Sequence, residues 1–286
     1  MRGAVVIGAL TFIGYHLVQK LLTEEAEVLA FDTDDLFRPS EMNEEKLLLI
    51  GRHAGFAYRS LEEREAWKEM REFNVVYFCL CEPNQYTEIL NQKTVHSYLQ
   101  RTLSLCKKHG KRFVLLSSAS AATARFYDEK GVEGTGNGSF FYEMEKLAET
   151  SGGDCAILQV PAVYGPWQPD FMTYHQLILT EMMQRDVNIE VKENNEDILY
   201  VTDVAECLYE FGKKKQTGAY YIGSGETGLW HKGVALLNGS NKIVIRGKQI
   251  EKKSVPRYPF QPKYSLKEGL QQQMLHMKKY QALYIG

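Results

Sequence analysis

A short, wholly apolar run, Ala4-Val5-Val6-Ile7, stops at Gly8, and Ile13, Leu17 and Leu21 then recur at helical spacing. A strand with no polar position is buried on both faces, so in a globular chain helices must cover both sides of its sheet. The pattern repeats. Val28-Leu29-Ala30-Phe31 reads as a second strand ending at Asp32, and Val75-Val76-Tyr77-Phe78-Cys79-Leu80 as a fourth. Between them, the polar stretch from Thr33 to Ser60 holds one helix, Glu44 to Leu49, and a weak third strand at Phe56-Ala57-Tyr58. A helix with Val95, Leu99, Leu103 and Cys106 on one face stops at Gly110. The strand Arg112-Phe113-Val114-Leu115-Leu116-Ser117-Ser118 follows, then a loop rich in Gly and Ser, a helix bearing Tyr142, and a sixth strand, Ile157-Leu158-Gln159-Val160. Strands alternating with helices at these spacings imply parallel βαβ units, hence an α/β fold with a doubly wound parallel sheet. After Pro166 the rhythm is irregular. Residues 1–165 therefore read as the sheet domain, with parts of 196–225 returning to it, and residues 166–286 mainly as a smaller C-terminal lobe.

Composition narrows the function classes. A formal net charge of −2 over 286 residues leaves no electrostatic footprint for nucleic acid. No stretch is apolar for long enough to span a bilayer. The opening apolar run is broken by glycines, lacks a small-residue cleavage pattern and continues into an amphipathic helix, so it reads as fold rather than signal peptide. Five scattered cysteines without metal spacing read as reduced thiols in a cytoplasm.

Gly8, Thr11 and Gly14 stand where a strand-to-helix turn carries a glycine pattern for binding a pyrophosphate at a helix N-terminus. Thr11 replaces the middle glycine. Its hydroxyl is placed either to donate to a phosphate oxygen or, through the methyl, to obstruct one; the alternative is a turn of this shape that binds no dinucleotide. Asp32, about twenty residues beyond the turn, is placed for both hydroxyls of a ribose and against a 2′-phosphate, which favours NAD over NADP. Tyr142 and Lys146 lie four residues apart on one helix face. An ammonium beside a phenol favours the phenolate, a useful property in a general acid/base. Tyr209 and Lys213 share the spacing but lack the flanking strands.

With these residues the chain resembles the extended short-chain dehydrogenases/reductases, also called the NAD-dependent epimerase/dehydratase family. Gly8 through Phe12-Ile13-Gly14 is similar to its cofactor turn, and Tyr142, Lys146 and Glu149 to its tyrosine-lysine-glutamate helix. Pro161-Ala162-Val163-Tyr164-Gly165-Pro166, Tyr200-Val201-Thr202-Asp203-Val204-Ala205 and Tyr221-Ile222-Gly223-Ser224-Gly225-Glu226 resemble later segments of the family in order. Pro262-Lys263-Tyr264-Ser265-Leu266-Lys267-Glu268-Gly269-Leu270 is similar to its closing segment. The resemblance implies a Rossmann domain carrying NAD and a lobe that binds a nucleotide sugar. It implies Tyr142 as the acid/base, Lys146 as its partner on the cofactor ribose, and Ser118 or Ser120 as the assisting hydroxyl. Gly8, Thr11, Phe12, Ile13, Gly14, Asp32, Leu80, Ser117, Tyr142, Lys146, Pro161 and Val163 would make up the cofactor site. It also implies a homodimer through helices Val95–Lys108 and Tyr142–Ser151.

The departures bear on substrate. Ala119 stands where the assisting hydroxyl belongs, and Ala119-Ser120-Ala121-Ala122 lacks the Asp-Glu pair of the 4,6-dehydratases. Tyr58 or Arg59 replaces an aspartate near the adenine, Ala162 a substrate asparagine, and Glu196 an arginine. Epimerisation or oxidoreduction therefore fits better than 4,6-dehydration, and a non-catalytic NAD-binding scaffold or sensor is the alternative. Trp167 and Trp230 read as packing residues, the seven histidines form no cluster and carry no assigned chemistry, and Arg246 and Arg257 read as surface arginines.

Overall fold

The computed structural model describes residues 3–34, 40–81, 92–128, 137–184, 188–191, 193, 196–237, 242–244 and 255–285. β1 (Gly3–Ile7) leads through a four-residue turn into α1 (Phe12–Thr23), then β2 (Glu27–Asp32), α2 (Glu41–Ile50) and β3 (Phe56–Ser60). A short α3 (Ala66–Glu69) and a 3-10 turn precede β4 (Val75–Phe78), α4 (Gln92–His109) and β5 (Arg112–Ser118). α5 (Ser120–Asp128), α6 (Asn137–Thr150), β6 (Cys155–Val160) and β7 (Ala162–Tyr164) follow. Next come α7 (Thr173–Met183), β8 (Asn188–Glu190), β9 (Ile198–Tyr200), α8 (Val201–Lys213) and β10 (Gly218–Tyr221). The chain ends with α9 (Leu229–Leu237), β11 (Lys242–Val244), α10 (Leu266–Lys279) and α11 (Gln281–Ile285).

Seven parallel strands form the main sheet in the order β10-β6-β5-β4-β1-β2-β3. This is the doubly wound Rossmann arrangement that the strand rhythm implied. Period-two alternation sends Ala4 and Val6 of β1, and Val114 and Leu116 of β5, to the layer containing α1 and α8. Val5, Ile7, Phe113 and Leu115 face the opposite layer, with α4 and α6. Val95, Leu99, Leu103 and Cys106 are the buried stripe of α4, as their spacing predicts. A third apolar cluster, around Tyr164, Tyr174, Ile178, Tyr200 and Trp230, is built from residues beyond the sixth strand.

Two local expectations are revised. The segment after β5 was expected to open as a Gly/Ser loop; it is helix α5, because alanines propagate a helix well and Ala121, Ala122 and Ala124 are buried. The expected helix Glu44 to Leu49 begins a turn earlier, where the Ser40 side chain accepts from the Asn43 amide.

The later sequence motifs act as joints. Asp197 accepts from the Ile198 amide at 2.8 Å, the Ser224 hydroxyl at 2.5 Å, the Ser224 amide at 2.9 Å and the Tyr221 hydroxyl at 3.1 Å. Asp203 accepts from the amides of Lys263 at 3.0 Å and Tyr264 at 3.4 Å, just ahead of α10. A side chain on Gly269 would come within 2.4 Å of the Tyr164 hydroxyl, so α10 seats on Tyr164 only through a glycine. Trp167 and Trp230 are both buried, and Arg257 donates to the Gly223 carbonyl, whereas Arg246 lies outside the described residues.

Folding also assembles histidines that the sequence keeps apart. Trp167 packs edge-on to His276 at 4.4 Å, His175 packs against Tyr284 at 5.1 Å, and a His16 ring nitrogen bonds the Pro166 carbonyl at 2.9 Å. Burial pushes His16 down to about 4 and His276 down to about 3.

Arg112 secures the return of the chain to the seventh strand. Buried at the start of β5, it donates to the Phe211 carbonyl at 2.7 Å and the Gln216 carbonyl at 2.6 Å, and pairs with Asp154. Arg112→Met should lower unfolding free energy by about 2–4 kcal/mol, since each acceptor that loses its donor costs about 1–3 kcal/mol. Urea denaturation measures this, and a loss under about 1 kcal/mol would show that the joint does not depend on the guanidinium.

Candidate functional site

The chain runs outward from β1 through β2 to β3, then crosses back to β4, so the carboxyl ends of β1 and β4 flank a switch point. Gly8 closes this end of β1. Its φ is +84°, and a Cβ there would lie 2.5 Å from the Leu80 amide nitrogen and 2.6 Å from the Cys79 carbonyl oxygen. Gly14 is tighter still: a Cβ would stand 1.8 Å from the Gly8 carbonyl oxygen. Neither position tolerates another residue, and together they bring the start of α1 against the sheet.

Thr11 is the N-cap of α1. Its hydroxyl accepts from the Gly14 amide at 3.2 Å and is within donating reach of the Gly8 carbonyl at 2.7 Å and the Cys79 carbonyl at 3.2 Å. The Thr11 side chain is buried and its hydroxyl is turned into the turn itself. Phe12 and Ile13 bury their side chains beneath the same helix end, and Val163 joins their cluster.

Asp32 closes β2 and is fully buried. Oδ2 accepts from the Leu10 amide at 3.0 Å, while Oδ1 is buried without a hydrogen-bond partner. Burial pushes the carboxyl up to about 8, against the Leu10 amide, Lys46 and Tyr58, which act in the other direction. A buried carboxylate oxygen lacking a donor is unfavourable by itself. At the end of a second Rossmann strand it fits a ribose hydroxyl, so the residues present suit a dinucleotide. Tyr58 lies beside Asp32, and burial, then Asp32, pushes its phenol up. Arg59 turns to Glu69 at 2.9 Å. Lys46, which no motif marked, donates to the Leu10 carbonyl at 2.8 Å.

The ends of β5 and β6 carry the other half. Ser117, expected at the cofactor, donates its hydroxyl to Glu145 at 2.5 Å, and that buried carboxylate also takes Gln159 at 2.9 and 3.0 Å and Arg125 at 3.2 Å. Burial raises the Glu145 carboxyl above its ordinary range, and these three partners oppose the shift. Ser118 and Ser120 form a hydroxyl pair, Ser120 donating at 2.8 Å. Ala119 is buried. Pro161 follows β6 directly and is also buried.

Tyr142 is half-buried on α6, and its hydroxyl donates to Asp128 Oδ2 at 3.0 Å. Lys146 Nζ reaches the same oxygen at 3.4 Å and lies 5.2 Å from the centre of the Tyr142 ring. The pair thus converges on one carboxylate, from the end of α5. Sequence reasoning missed Asp128 because its partners are 14 and 18 residues away, beyond any helical repeat. Tyr209, the decoy, donates instead to Glu24 at 3.0 Å on the α1–α8 side.

A family model described as the NAD dependent epimerase/dehydratase family matches residues 4–223. An uncharacterized UDP-glucose epimerase, YtcB of Bacillus subtilis (strain 168), is 25% identical over 223 residues, covering 69% of this chain and 68% of that protein. A dTDP-glucose 4,6-dehydratase from Bacillus anthracis, solved with NAD, superposes with a TM-score of 0.78 at 19% identity, over 99% of this chain and 98% of that one. A UDP-glucuronic acid 4-epimerase from Bacillus cereus, also with NAD, gives 0.72 at 19% identity, over 97% and 99%. At such identity the two structures speak to the fold alone.

The cap role of Thr11 is open to direct measurement. Thr11→Ala should cost about 1–2 kcal/mol of stability, as loss of a capping hydroxyl does, while Thr11→Ser should be nearly neutral. Equal losses in the two variants, by denaturant unfolding, would show that the methyl rather than the hydroxyl matters.

Proposed function

The chain belongs to the NAD dependent epimerase/dehydratase family, and from that membership we propose an NAD-dependent epimerase or oxidoreductase acting on a nucleotide sugar or a related polar substrate. One observation carries the reading: Tyr142 and Lys146 stand side by side on α6, the ammonium 5.2 Å from the centre of the phenol ring. In this reading Asp32 takes the adenine-ribose hydroxyls, and the turn from Gly8 to Gly14 offers backbone N–H groups to the pyrophosphate. When bound, NAD would supply a two-electron acceptor for hydride at its nicotinamide. Tyr142 removes the proton of the sugar hydroxyl as the carbon bearing it is oxidised, and gives it back on reduction. Lys146 supports the phenolate and holds the cofactor ribose. The Ser118–Ser120 hydroxyl pair donates to the sugar oxygen. A 4,6-dehydration is disfavoured, since α5 opens with Ser120 and buried alanines and offers no acid there.

Asp128 favours a second reading. A carboxylate facing the phenol opposes the phenolate and occupies the ammonium, as a cofactor-binding scaffold without turnover would tolerate. For catalysis, Tyr142 and Lys146 must exchange Asp128 for substrate and cofactor. We further infer a cytoplasmic setting, supported by five buried, free cysteines, and a homodimer through α4 and α6.

Three measurements test the proposal. Tyr142→Phe should reduce turnover about 100- to 10,000-fold with the fold intact, and unchanged biological activity with tight NAD binding would favour the scaffold. Calorimetry above pH 8 should show NAD bound at least about tenfold more tightly than NADP, because an ionised Asp32 repels a 2′-phosphate; equal affinities would remove Asp32 from the ribose. Light scattering should show a dimer at micromolar concentration, and a monomer there would discard the α4–α6 interface.

A further inference from the structure

β2 and β3 run parallel with Asp32 opposite Ser60, so these two side chains leave the same face of the sheet at its carboxyl edge. The Ser60 hydroxyl stands 2.6 Å from Asp34 Oδ1 and 2.6 Å from Glu62 Oε2. Glu62 Oε2 also accepts from the Asp34 amide at 3.2 Å, and its Oε1 from the Tyr98 hydroxyl at 2.9 Å. The Glu62 amide donates back to Ser60 at 3.1 Å. Every one of these donors is neutral. Among the described residues no lysine or arginine pairs with Asp34 or Glu62, and Arg59, next to Ser60 in the chain, turns to Glu69 instead. Two like charges sharing one hydroxyl repel each other. Asparagine and glutamine would close the same turn without that repulsion, so local hydrogen bonding does not by itself account for two acids here.

Asp32 points to what the pair borders. It is fully buried with Oδ1 unpartnered, at the place where a second Rossmann strand receives a ribose. Paired strands are about 5 Å apart, which sets Asp34 and Glu62 within about 10 Å of that oxygen. We propose that Asp34 and Glu62, joined through Ser60, are cofactor-specificity residues: an exposed anionic rim beside the adenine ribose that rejects a 2′-phosphate and so admits NAD(H) over NADP(H). This rests on the NAD reading above and adds to Asp32 a second source of discrimination. A 2′-phosphate carries nearly two negative charges at neutral pH and would leave the ribose at the oxygen assigned to Asp32. Sites that accept it place an arginine nearby; here carboxylates stand there. Burial pushes Asp32 itself up to about 8, against the Leu10 amide, Lys46 and Tyr58, so near neutral pH the rim supplies the standing negative charge of this edge.

The experiment is calorimetry of NADH and NADPH at pH 7 with wild type, Asp34→Asn, Glu62→Gln and the double variant. Wild type should prefer NADH. Each single variant should raise NADPH affinity about threefold and the double variant about tenfold, with NADH affinity held within about twofold. Raising the salt from about 0.05 M to about 0.5 M should close most of that gain, because the repulsion acts across about a Debye length. An unchanged NADPH-to-NADH ratio in the double variant at low salt would overturn the proposal. So would an equal gain for both cofactors, which places the charge beside the diphosphate they share, or a gain that survives high salt, which assigns it to shape. Should the double variant not fold, the single variants and the salt dependence of wild type decide in the same way. Failure of wild type to bind either cofactor would instead remove the NAD reading, and the rim with it.

Discussion

At the crossing from β1 into α1 there is no room for any atom beyond the α-carbon of Gly14, because the Gly8 carbonyl oxygen already occupies that space. The rest of the sheet end is arranged around this contact. It brings the amide end of α1 to the carboxyl edge of the sheet, where the helix dipole favours an anion. It lets the end of β4 lie against Gly8, and it puts the Leu10 peptide within reach of Asp32 on one side and Lys46 on the other. Thr11 stabilises the same turn from inside. A residue that looks in the linear pattern like a lost glycine is here a helix cap.

Carboxylates carry a comparable burden in the later part of the chain. Asp197 gathers the Ser224 turn, and Asp203 gathers the segment entering α10. Both are short side chains accepting backbone amides that would otherwise lack partners, a strong reason for aspartate at each place. Glu145 joins β5, β6 and α6 through side-chain donors instead, Ser117 and Gln159, one residue before Lys146, so the helix that carries the Tyr–Lys pair is anchored by a buried acid rather than by apolar packing alone.

The two halves of the candidate site differ in how ready they are. On the β1–β2 side, geometry and an unpartnered Asp32 oxygen match the needs of a dinucleotide. On the α6 side, Tyr142 and Lys146 are brought together but are engaged with Asp128, more than a third exposed, where solvent weakens the pairing. Under the proposed function, catalysis by this pair would require a local exchange of partners.

Short-range physics made much of this legible in the chain itself. Apolar runs with no polar position fixed the buried strands, the repeats of Val95, Leu99 and Leu103 set a helix face, and Gly8, Gly14 and Asp32 marked the turn by spacing alone. Tyr142 and Lys146 were visible for the same reason, a helix repeat. What the sequence could not show lies in contacts between distant segments: Asp128 on Tyr142, the histidines around Trp167 and Tyr284, and Lys46 on Leu10. Lys46 did leave a trace, standing four residues from both Met42 and Ile50 on the inward face of α2. Only the tertiary structure, by folding α2 against the turn after β1, brings its ammonium to the Leu10 carbonyl.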